Sequence, residues 1–302
     1  MGNKEVLSLL FIIFVILLLL LYWFIPFSTT QFRIETGPSN FSIGEVGGEM
    51  QFYPNMRFST NRISYKIGNC TIQKKDDMIR AFEMLEETTV LDFYGASLDE
   101  DITIVCDSKT KIEEGLFIAG EGGPTNISKV GEFSVITHGK ILLLRDSFCP
   151  TPNVAIHELL HVLGFDHSDN PNNIMYPISN CGQSTGQEII DTINTIYAVP
   201  SYPDLTFENV SALMHGKYLN INMTINNNGF QDSPMTSIAI YGDEKLIKKV
   251  DLNPLKIGYG VILSLTNVWV SQISTKELKF VIEGDFDELK KENNKVLLKI
   301  KK

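Results

Sequence analysis

The hydrophobic and polar positions divide the chain into three stretches of different character. The first is an apolar run from Val6 to Ile25 that only Ser8 interrupts. About 20 helical residues span roughly 30 Å, which is the thickness of the hydrocarbon core of a bilayer. The run therefore predicts a signal-anchor transmembrane helix within residues 1–26, with residues 27–36 as a spacer. The alternative is a cleaved signal peptide, but the PFSTTQF that follows lacks a small-x-small cleavage site.

The second stretch, residues 37–200, alternates between strand-like and helical periodicity, which predicts one unit of mixed α and β structure. Acidic Asp76 and Asp77 are predicted to open its first helix, where they complement the helix dipole. The glycine-rich GLFIAGEGGPTN is predicted as a loop. The other predicted elements are strands at Arg62–Gly68, Val90–Tyr94, Asp101–Cys106, Glu132–Gly139 and Lys140–Asp146, and a helix at Gly186–Val199.

The third stretch, residues 203–302, follows two chain-breaking prolines, Pro200 and Pro203. Its short segments alternate strictly, as in YLNINMTIN, and SIAIYGDEKLIKKV reads as a hairpin that turns at Gly242 and Asp243. Roughly seven short strands in about a hundred residues predict an all-β, immunoglobulin-like sandwich.

The charge balance excludes one class of partner. The 302 residues contain 26 Lys plus Arg against 36 Asp plus Glu, which gives a net charge of −10. A phosphate backbone would repel such a chain, so nucleic acid is not an expected partner.

The residues with the clearest chemistry lie in HELLHVLGFDHSDNPNNIMYP. On a helix, His157 and His161 lie one turn apart on one face and can bind the same metal ion, with Glu158 beside them as a candidate general base. Gly164 can adopt the positive φ that ends a helix and returns His167 to the metal. Three imidazoles leave a fourth zinc position open for water, which is the pattern of a catalytic site.

This spacing, H-E-x-x-H-x-x-G-x-x-H followed by Met175, resembles the metzincin zinc peptidases. Ser168 after the third histidine and the sequence IMYP around the methionine narrow the resemblance to the matrixins. The chain departs from them at Leu160, where many matrixins have glycine. It also shows no cysteine-containing latency segment between the apolar run and the domain, so control by such a segment is doubtful.

The resemblance implies a fold and an activity. The fold is an α+β metzincin-type domain, with a mixed twisted sheet, a zinc helix, a methionine turn and a C-terminal helix. The activity is zinc-dependent endopeptidase hydrolysis of extracellular proteins, in which Glu158 activates a zinc-bound water and Met175 underlies the metal. One of the two strands after the glycine-rich loop is expected to pair with extended substrate at the cleft. Structural Ca²⁺ is compatible with such a domain, but no residue of the sequence supports it.

Two other functions remain open. One is a surface adhesion or scaffold protein with a non-catalytic zinc site, although adhesion gives no reason to retain Glu158. The other is a zinc amidase that acts on a non-peptide substrate, which the third histidine and the methionine turn disfavour.

The four cysteines all follow the apolar run, as do the five Asn-x-Ser/Thr sequons. An even cysteine number in an exported domain predicts two disulfides, for which three pairings are open. We favour Cys149–Cys181, on either side of the zinc motif, together with Cys70–Cys106; a second metal site is disfavoured because no C-x-x-C pair occurs. These features predict a single-pass membrane protein with a cytoplasmic N-terminus and an extracellular catalytic domain.

The last stretch resembles a second family. Its opening PDLTFENV and its ending EGDFDELKKENNKVLLKI are similar to the CARDB-type domains of prokaryotic surface proteins. The resemblance implies a spacer, or a module with a weak protein or glycan ligand that no residue identifies.

Overall fold

The computed structural model describes residues 3–23, 29–36, 44, 46, 50–109, 111–113, 116–146, 148–271 and 275–301. Two compact units account for the chain. One comprises Phe41–Pro203 and Asn228–Asp232, and the other comprises Met1–Asn40, Asp204–Asn227 and Ser233–Lys302. We call the first the peptidase unit, after the family that its sequence resembles, and the second the sandwich unit.

The helices are α1 Asn3–Trp23, α2 Ile72–Thr88, α3 Asn153–Val162 and α4 Gln187–Tyr197. The strands are β1 Thr29–Thr36, β2 Met56–Phe58, β3 Arg62–Ile67, β4 Asp92–Gly95, β5 Ile102–Cys106, β6 Lys111–Glu113, β7 Leu116–Ile118, β8 Gly120–Val130, β9 Phe133–Leu143, β10 Leu205–His215, β11 Tyr218–Asn227, β12 Thr236–Gly242, β13 Lys245–Leu252, β14 Gly260–Trp269, β15 Glu277–Glu283 and β16 Lys295–Ile300.

The predicted membrane segment requires a correction. The helix α1 covers Asn3–Trp23 and includes the polar residues Asn3 and Lys4 and the acidic Glu5 in its first turn. Within the described residues, no helix has both the length and the apolar character needed to cross a bilayer. The predicted transmembrane helix, the membrane as a partner and the single-pass membrane localisation are therefore wrong.

The peptidase unit is built on a sheet in the order β2-β9-β5-β3-β4, whose neighbours all run parallel. The strand β8 pairs antiparallel with β9 over its whole length. The helices α2 and α3 pack on this sheet and share its core, to which Met78, Phe82, Leu85, Ile156 and Leu159 contribute. The helix α2 begins a turn earlier than predicted, because Thr71 caps it by accepting a hydrogen bond from the Lys74 N–H.

The strand β8 falls mostly where the sequence predicts a loop. Glycine and proline are weak strand formers, and they dominate its first residues. The two separate strands predicted around Gly139 are in fact one strand, β9, with Gly139 in its interior. We expected one of these two predicted strands to lie at the edge of the sheet. The strand β9 instead pairs with β2, β5 and β8, so the edge strand is β8.

A buried arginine in the peptidase unit binds the C-terminal end of α4. Arg57 is 1% exposed, and its guanidinium donates to the carbonyl oxygens of Ile196 at 2.8 Å and Val199 at 2.9 Å. These carbonyls have no partner within a helix because they lie at its C-terminus. The guanidinium also stacks on the rings of Tyr197 and Phe230. Burial lowers the pKa of Arg57.

The sandwich unit consists of strands in the order β13-β12-β15-β16-β1-β10-β11-β14. The predicted spacer forms β1, whose first part pairs with β10 and whose second part pairs with β16. The hairpin β12–β13 turns at Asp243 and Glu244, which both have positive φ. Alternate strand positions fill one apolar core, including Leu205, Phe207, Ile221, Phe280 and Leu298.

Candidate functional site

The zinc motif lies on α3 and on the turn that follows it. His157 and His161 stand one helical turn apart, and the helix ends in two hydrogen bonds of a Schellman motif. The Gly164 N–H donates to the His161 carbonyl and the Phe165 N–H donates to the Leu160 carbonyl, both at 3.0 Å. Gly164 has φ +98°, and a Cβ there would lie 2.6 Å from Cβ of Met56. Glycine is therefore required at this turn for two separate reasons.

The three histidines converge on one point. Nε2 of His161 lies 3.0 Å from Nε2 of His157 and 3.2 Å from Nε2 of His167. Nδ1 of His157 lies 2.7 Å from the Ile174 carbonyl oxygen, and Nδ1 of His161 lies 2.8 Å from that of Phe165. A carbonyl only accepts, so these two Nδ1 atoms carry the protons and their Nε2 lone pairs face the common point.

This donor set fits a zinc ion. Four ligand atoms around tetrahedral zinc at about 2.0–2.1 Å lie about 3.3 Å from one another, which is close to the Nε2 separations. Burial lowers the pKa of His157 and lowers that of His161 to about 4, so both rings are neutral, as ligation requires. Among the described histidines, cysteines and acidic residues, these three histidines form the group able to hold a metal ion.

Glu158 lies beside the three histidines and is 6% exposed. Burial, followed by the charge of Glu121, raises the pKa of its carboxyl to about 8, and a hydrogen bond from the Gly122 N–H acts in the opposite direction. The strand β8 lies directly against this side chain. A Cβ at Gly120 would lie 2.8 Å from Cγ of Glu158, and one at Gly122 would lie 2.3 Å from the Glu158 carbonyl oxygen. The two glycines therefore allow β8 to touch α3 at the candidate base.

The methionine turn is fixed by a residue that the sequence did not single out. Asn173 is 3% exposed; its Oδ1 accepts the Met175 N–H at 2.8 Å, and its Nδ2 donates to Glu188 on α4 at 2.8 Å. The Met175 carbonyl accepts the Ser168 N–H, which links the turn to the residue after His167. Met175 itself is fully buried.

An open cleft of about 1290 Å³ leads to the histidines and Glu158. Its lining includes the start of β8 and the segment from Pro177 to Cys181. Phe148 on the rim is 92% exposed and Ile178 is 52% exposed, so two large apolar side chains face the solvent at the cleft. The cleft has room for a polypeptide to reach the histidines.

Both disulfides form in the pairing that we favoured from the sequence. Cys149–Cys181 joins the segment before α3 to the segment after the methionine turn. Cys70–Cys106 joins the residues before α2 to the end of β5. The first disulfide holds the two sides of the histidine segment together at the cleft.

Comparison with known families agrees with this geometry. Residues 144–198 match the family model of the matrixins, and residues 202–297 match that of CARDB. The chain carries a matrixin segment and a CARDB segment. Both resemblances seen in the sequence are thereby confirmed. The matrixin family implies zinc as the metal and a peptidase as the class of enzyme.

Two curated relatives match over about half of the chain. Stromelysin-2 of Rattus norvegicus is 28% identical over 191 residues, which cover 54% of this chain and 38% of the relative. Stromelysin-1 of Rattus norvegicus is 29% identical over 177 residues, which cover 53% and 37%. The chain thus spans less than two fifths of the length of these relatives. A solved CARDB domain from Pyrococcus furiosus shares 18% identity, covers 33% of this chain and 88% of that domain, and has a TM-score of 0.27.

The structure brings together the site residues that the sequence selected, namely His157, Glu158, His161, His167 and Met175. Sequence reasoning missed Asn173 and the glycines of β8. The sequence does carry a signal for the glycines, because GEGG would be an unusual strand unless another backbone approaches it closely.

Proposed function

We propose that the chain is a zinc-dependent endopeptidase that cleaves protein or peptide substrates, with residues 37–200 as its catalytic domain. The observation that carries the proposal is the convergence of three Nε2 atoms beside a buried carboxylate in an open cleft. The matrixin match over residues 144–198 supports it.

His157, His161 and His167 would hold the zinc ion. When bound, zinc supplies a Lewis acid that polarises the peptide carbonyl and stabilises the negative charge that develops on its oxygen. The carbonyl oxygens of Ile174 and Phe165 hold two of the rings by their Nδ1–H groups, so that Nε2 faces the metal position. Met175 provides an apolar floor and is not assigned as a ligand.

Glu158 is the proposed general base and acid. Its carboxylate would take a proton from the attacking water and then deliver that proton to the nitrogen of the leaving amine. Burial raises the pKa of this carboxyl in the metal-free chain. The positive charge of a bound zinc ion would lower that pKa again, which would keep the group ionised and able to accept the proton. The packing of β8 would hold the carboxylate in place, because the backbone of Gly120 and Gly122 lies against it.

The strand β8 is the proposed substrate-aligning element. It covers one side of β9 and lines the cleft at Gly120, Glu121 and Gly122. An edge strand offers free backbone groups to an extended peptide, which would add to the sheet as a further strand. Substrates would then bind extended and lie directly beside Glu158. For the sandwich unit, a weak protein or glycan ligand stays a prediction.

The test compares the full chain with the Glu158→Ala variant on casein and on a quenched-fluorescent peptide library. Zinc content is measured for each protein, and Glu87→Gln, an exposed carboxylate on α2, serves as the matched control. We expect the parent and the control to cleave. The Glu158→Ala variant should keep its zinc but lose activity by about a hundredfold or more, since proton transfer contributes about 10²–10⁴.

Two results would contradict the proposal. A zinc-loaded parent that cleaves nothing in either substrate set would favour a scaffold with a non-catalytic metal site. A zinc-loaded Glu158→Ala variant that is as active as the parent would remove Glu158 from the chemistry.

A further inference from the structure

A second cluster of polar groups lies inside the sandwich unit, far in sequence from the histidine motif. Asp204, directly before β10, is 0% exposed, and Thr206 two residues later is also fully buried. Asn293 and Asn294, in the 3-10 turn before β16, are 1% and 9% exposed. Glu288 completes the cluster and accepts the Leu205 N–H at 2.8 Å.

Hydrogen bonds to the two carboxylates fix the orientation of both amides. Nδ2 of Asn293 donates to Oδ1 of Asp204 at 2.9 Å, and Nδ2 of Asn294 donates to Oε1 of Glu288 at 2.7 Å. A carboxylate accepts and does not donate, so the NH₂ group of each amide must face it. The amide oxygen of each asparagine is consequently the atom left to bind another partner.

These oxygens meet no donor. Among the described residues, five buried side-chain oxygens lack a hydrogen-bond partner, and four of them belong to this cluster. They are Oδ2 of Asp204, Oγ1 of Thr206, Oδ1 of Asn293 and Oδ1 of Asn294. A buried oxygen without a partner destabilises a fold, so these four oxygens require a hydrogen-bond donor or a cation that the described side chains do not supply.

We propose that this cluster binds a divalent cation, and that the cation is Ca²⁺. The donors are carboxylate, amide and hydroxyl oxygens with no nitrogen or sulfur among them, which is the ligand set that Ca²⁺ prefers. The cation would supply positive charge to Oδ2 of Asp204 and would satisfy the unpartnered amide oxygens of both asparagines. It would also tie the beginning of β10 to the turn before β16.

A cavity lies beside the cluster at Glu288 and Asn294. It measures about 580 Å³, and Glu288 and Asn294 line it together with the further acidic residues Glu283 and Asp285. Lys291 and Lys295 lie on its wall as well, and Lys291 approaches Asp287 at 3.6 Å. The cavity therefore brings further acidic side chains close to the cluster.

The proposal does not depend on the peptidase activity. The histidine site offers three nitrogen atoms to zinc, whereas the sandwich cluster offers only oxygen atoms, so the two sites select different metals. Zinc loading of the full chain before the experiment keeps the two binding events apart.

The experiment measures Ca²⁺ binding to the zinc-loaded full chain by equilibrium dialysis with radioactive Ca²⁺, and thermal unfolding with and without Ca²⁺. We expect one Ca²⁺ per chain and a higher Tm in its presence. Asp204→Asn keeps the size of the side chain and should weaken binding by about tenfold or more, because the charge on the ligands sets the affinity. Glu288→Gln is a second variant in case the first does not fold.

Thr275→Val is the matched control, because Thr275 carries the fifth unpartnered buried oxygen and lies outside the cluster. It should bind Ca²⁺ as the parent does. The proposal fails if the parent binds no Ca²⁺, which would leave buried water as the partner of these oxygens. It also fails if the folded Asp204→Asn and Glu288→Gln variants bind as tightly as the parent.

Discussion

At the scale of single residues, the contact between β8 and α3 depends on the absence of a side chain. A Cβ at Gly122 would lie 2.3 Å from the backbone oxygen of Glu158, and backbone cannot move aside as a side chain can. We expect Gly122→Ala to push β8 from α3, to lower peptidase activity by at least about tenfold and to destabilise the fold by about 1–3 kcal/mol. Cleavage rates and urea unfolding of the two proteins measure both effects.

The neighbouring glycine provides the control for this prediction. A Cβ at Gly123 would meet nothing within 4 Å. Gly123→Ala should therefore keep the stability and the activity of the parent. Equal losses in both variants would show that strand propensity, and not the contact with Glu158, explains the result.

Single residues also show which parts of a site a sequence reveals. His157, His161 and His167 could be selected because a helix and one glycine turn translate their spacing directly into proximity. Asn173 and Asp204 could not be selected from the sequence. Their hydrogen-bond partners, Glu188 and Asn293, lie in other segments, and no fixed sequence spacing relates them. A buried hydrogen bond between Asn173 and Glu188 requires the fold to be known first.

At the scale of elements, the C-terminus of α4 contacts the buried guanidinium of Arg57. Arg57 donates to the last carbonyls of this helix, and no acidic partner shares its site among its described contacts. We expect Arg57→Met to leave these buried carbonyls without donors and to lower the free energy of unfolding by about 3 kcal/mol. Chemical denaturation of the parent and the variant measures the difference.

Arg62→Met is the matched control for this element. Arg62, like Arg57, stacks on a tyrosine ring, that of Tyr94, but it forms an ion pair with Asp92 and its side chain is 68% exposed. An exposed ion pair contributes about 0–1 kcal/mol, so the control should lose little stability. If both variants lost the same amount, the helix end would not be the cause.

Elements differ in how well the sequence predicts them. Strict alternation identified β11, and helical spacing identified α4, because apolar side chains on one face of each element fill the core. The strand β8 was missed because its first residues are mostly glycines. They allow close packing against α3 but give no alternation of apolar and polar side chains. The strand β1 was missed because its pairing partners, β10 and β16, lie far along the chain.

At the scale of the whole molecule, the buried histidines link stability to pH. In the metal-free protein, burial lowers the pKa of His161 to about 4, whereas an unfolded chain has a histidine pKa of about 6.5. The unfolded state therefore binds more protons between these values, and stability should fall as the pH decreases from about 7 to about 5. Urea unfolding of the EDTA-treated protein across this range measures the slope.

The raised pKa of Glu158 has the opposite sign, because the folded state then binds the extra proton as the pH falls. The measurement is therefore made in the Glu158→Gln background. Adding His161→Gln should flatten the slope, while adding His215→Asn, an exposed histidine, should not. An unchanged slope with His161→Gln would assign the pH dependence to other groups.

The pairing of β1 with β16 joins the two ends of the chain within the sandwich unit. Phe32 pairs with Ile300, so the peptidase unit is an insertion between the first strand of the sandwich unit and the rest of that unit. A single cut between the two units cannot release the peptidase unit, because the chain still connects it to the sandwich unit at its other end. Nor can a ribosome complete the sandwich before almost the entire chain has been made. Release of the peptidase unit therefore takes two cuts, and any shortened version that starts after Thr36 lacks a strand of the sandwich unit.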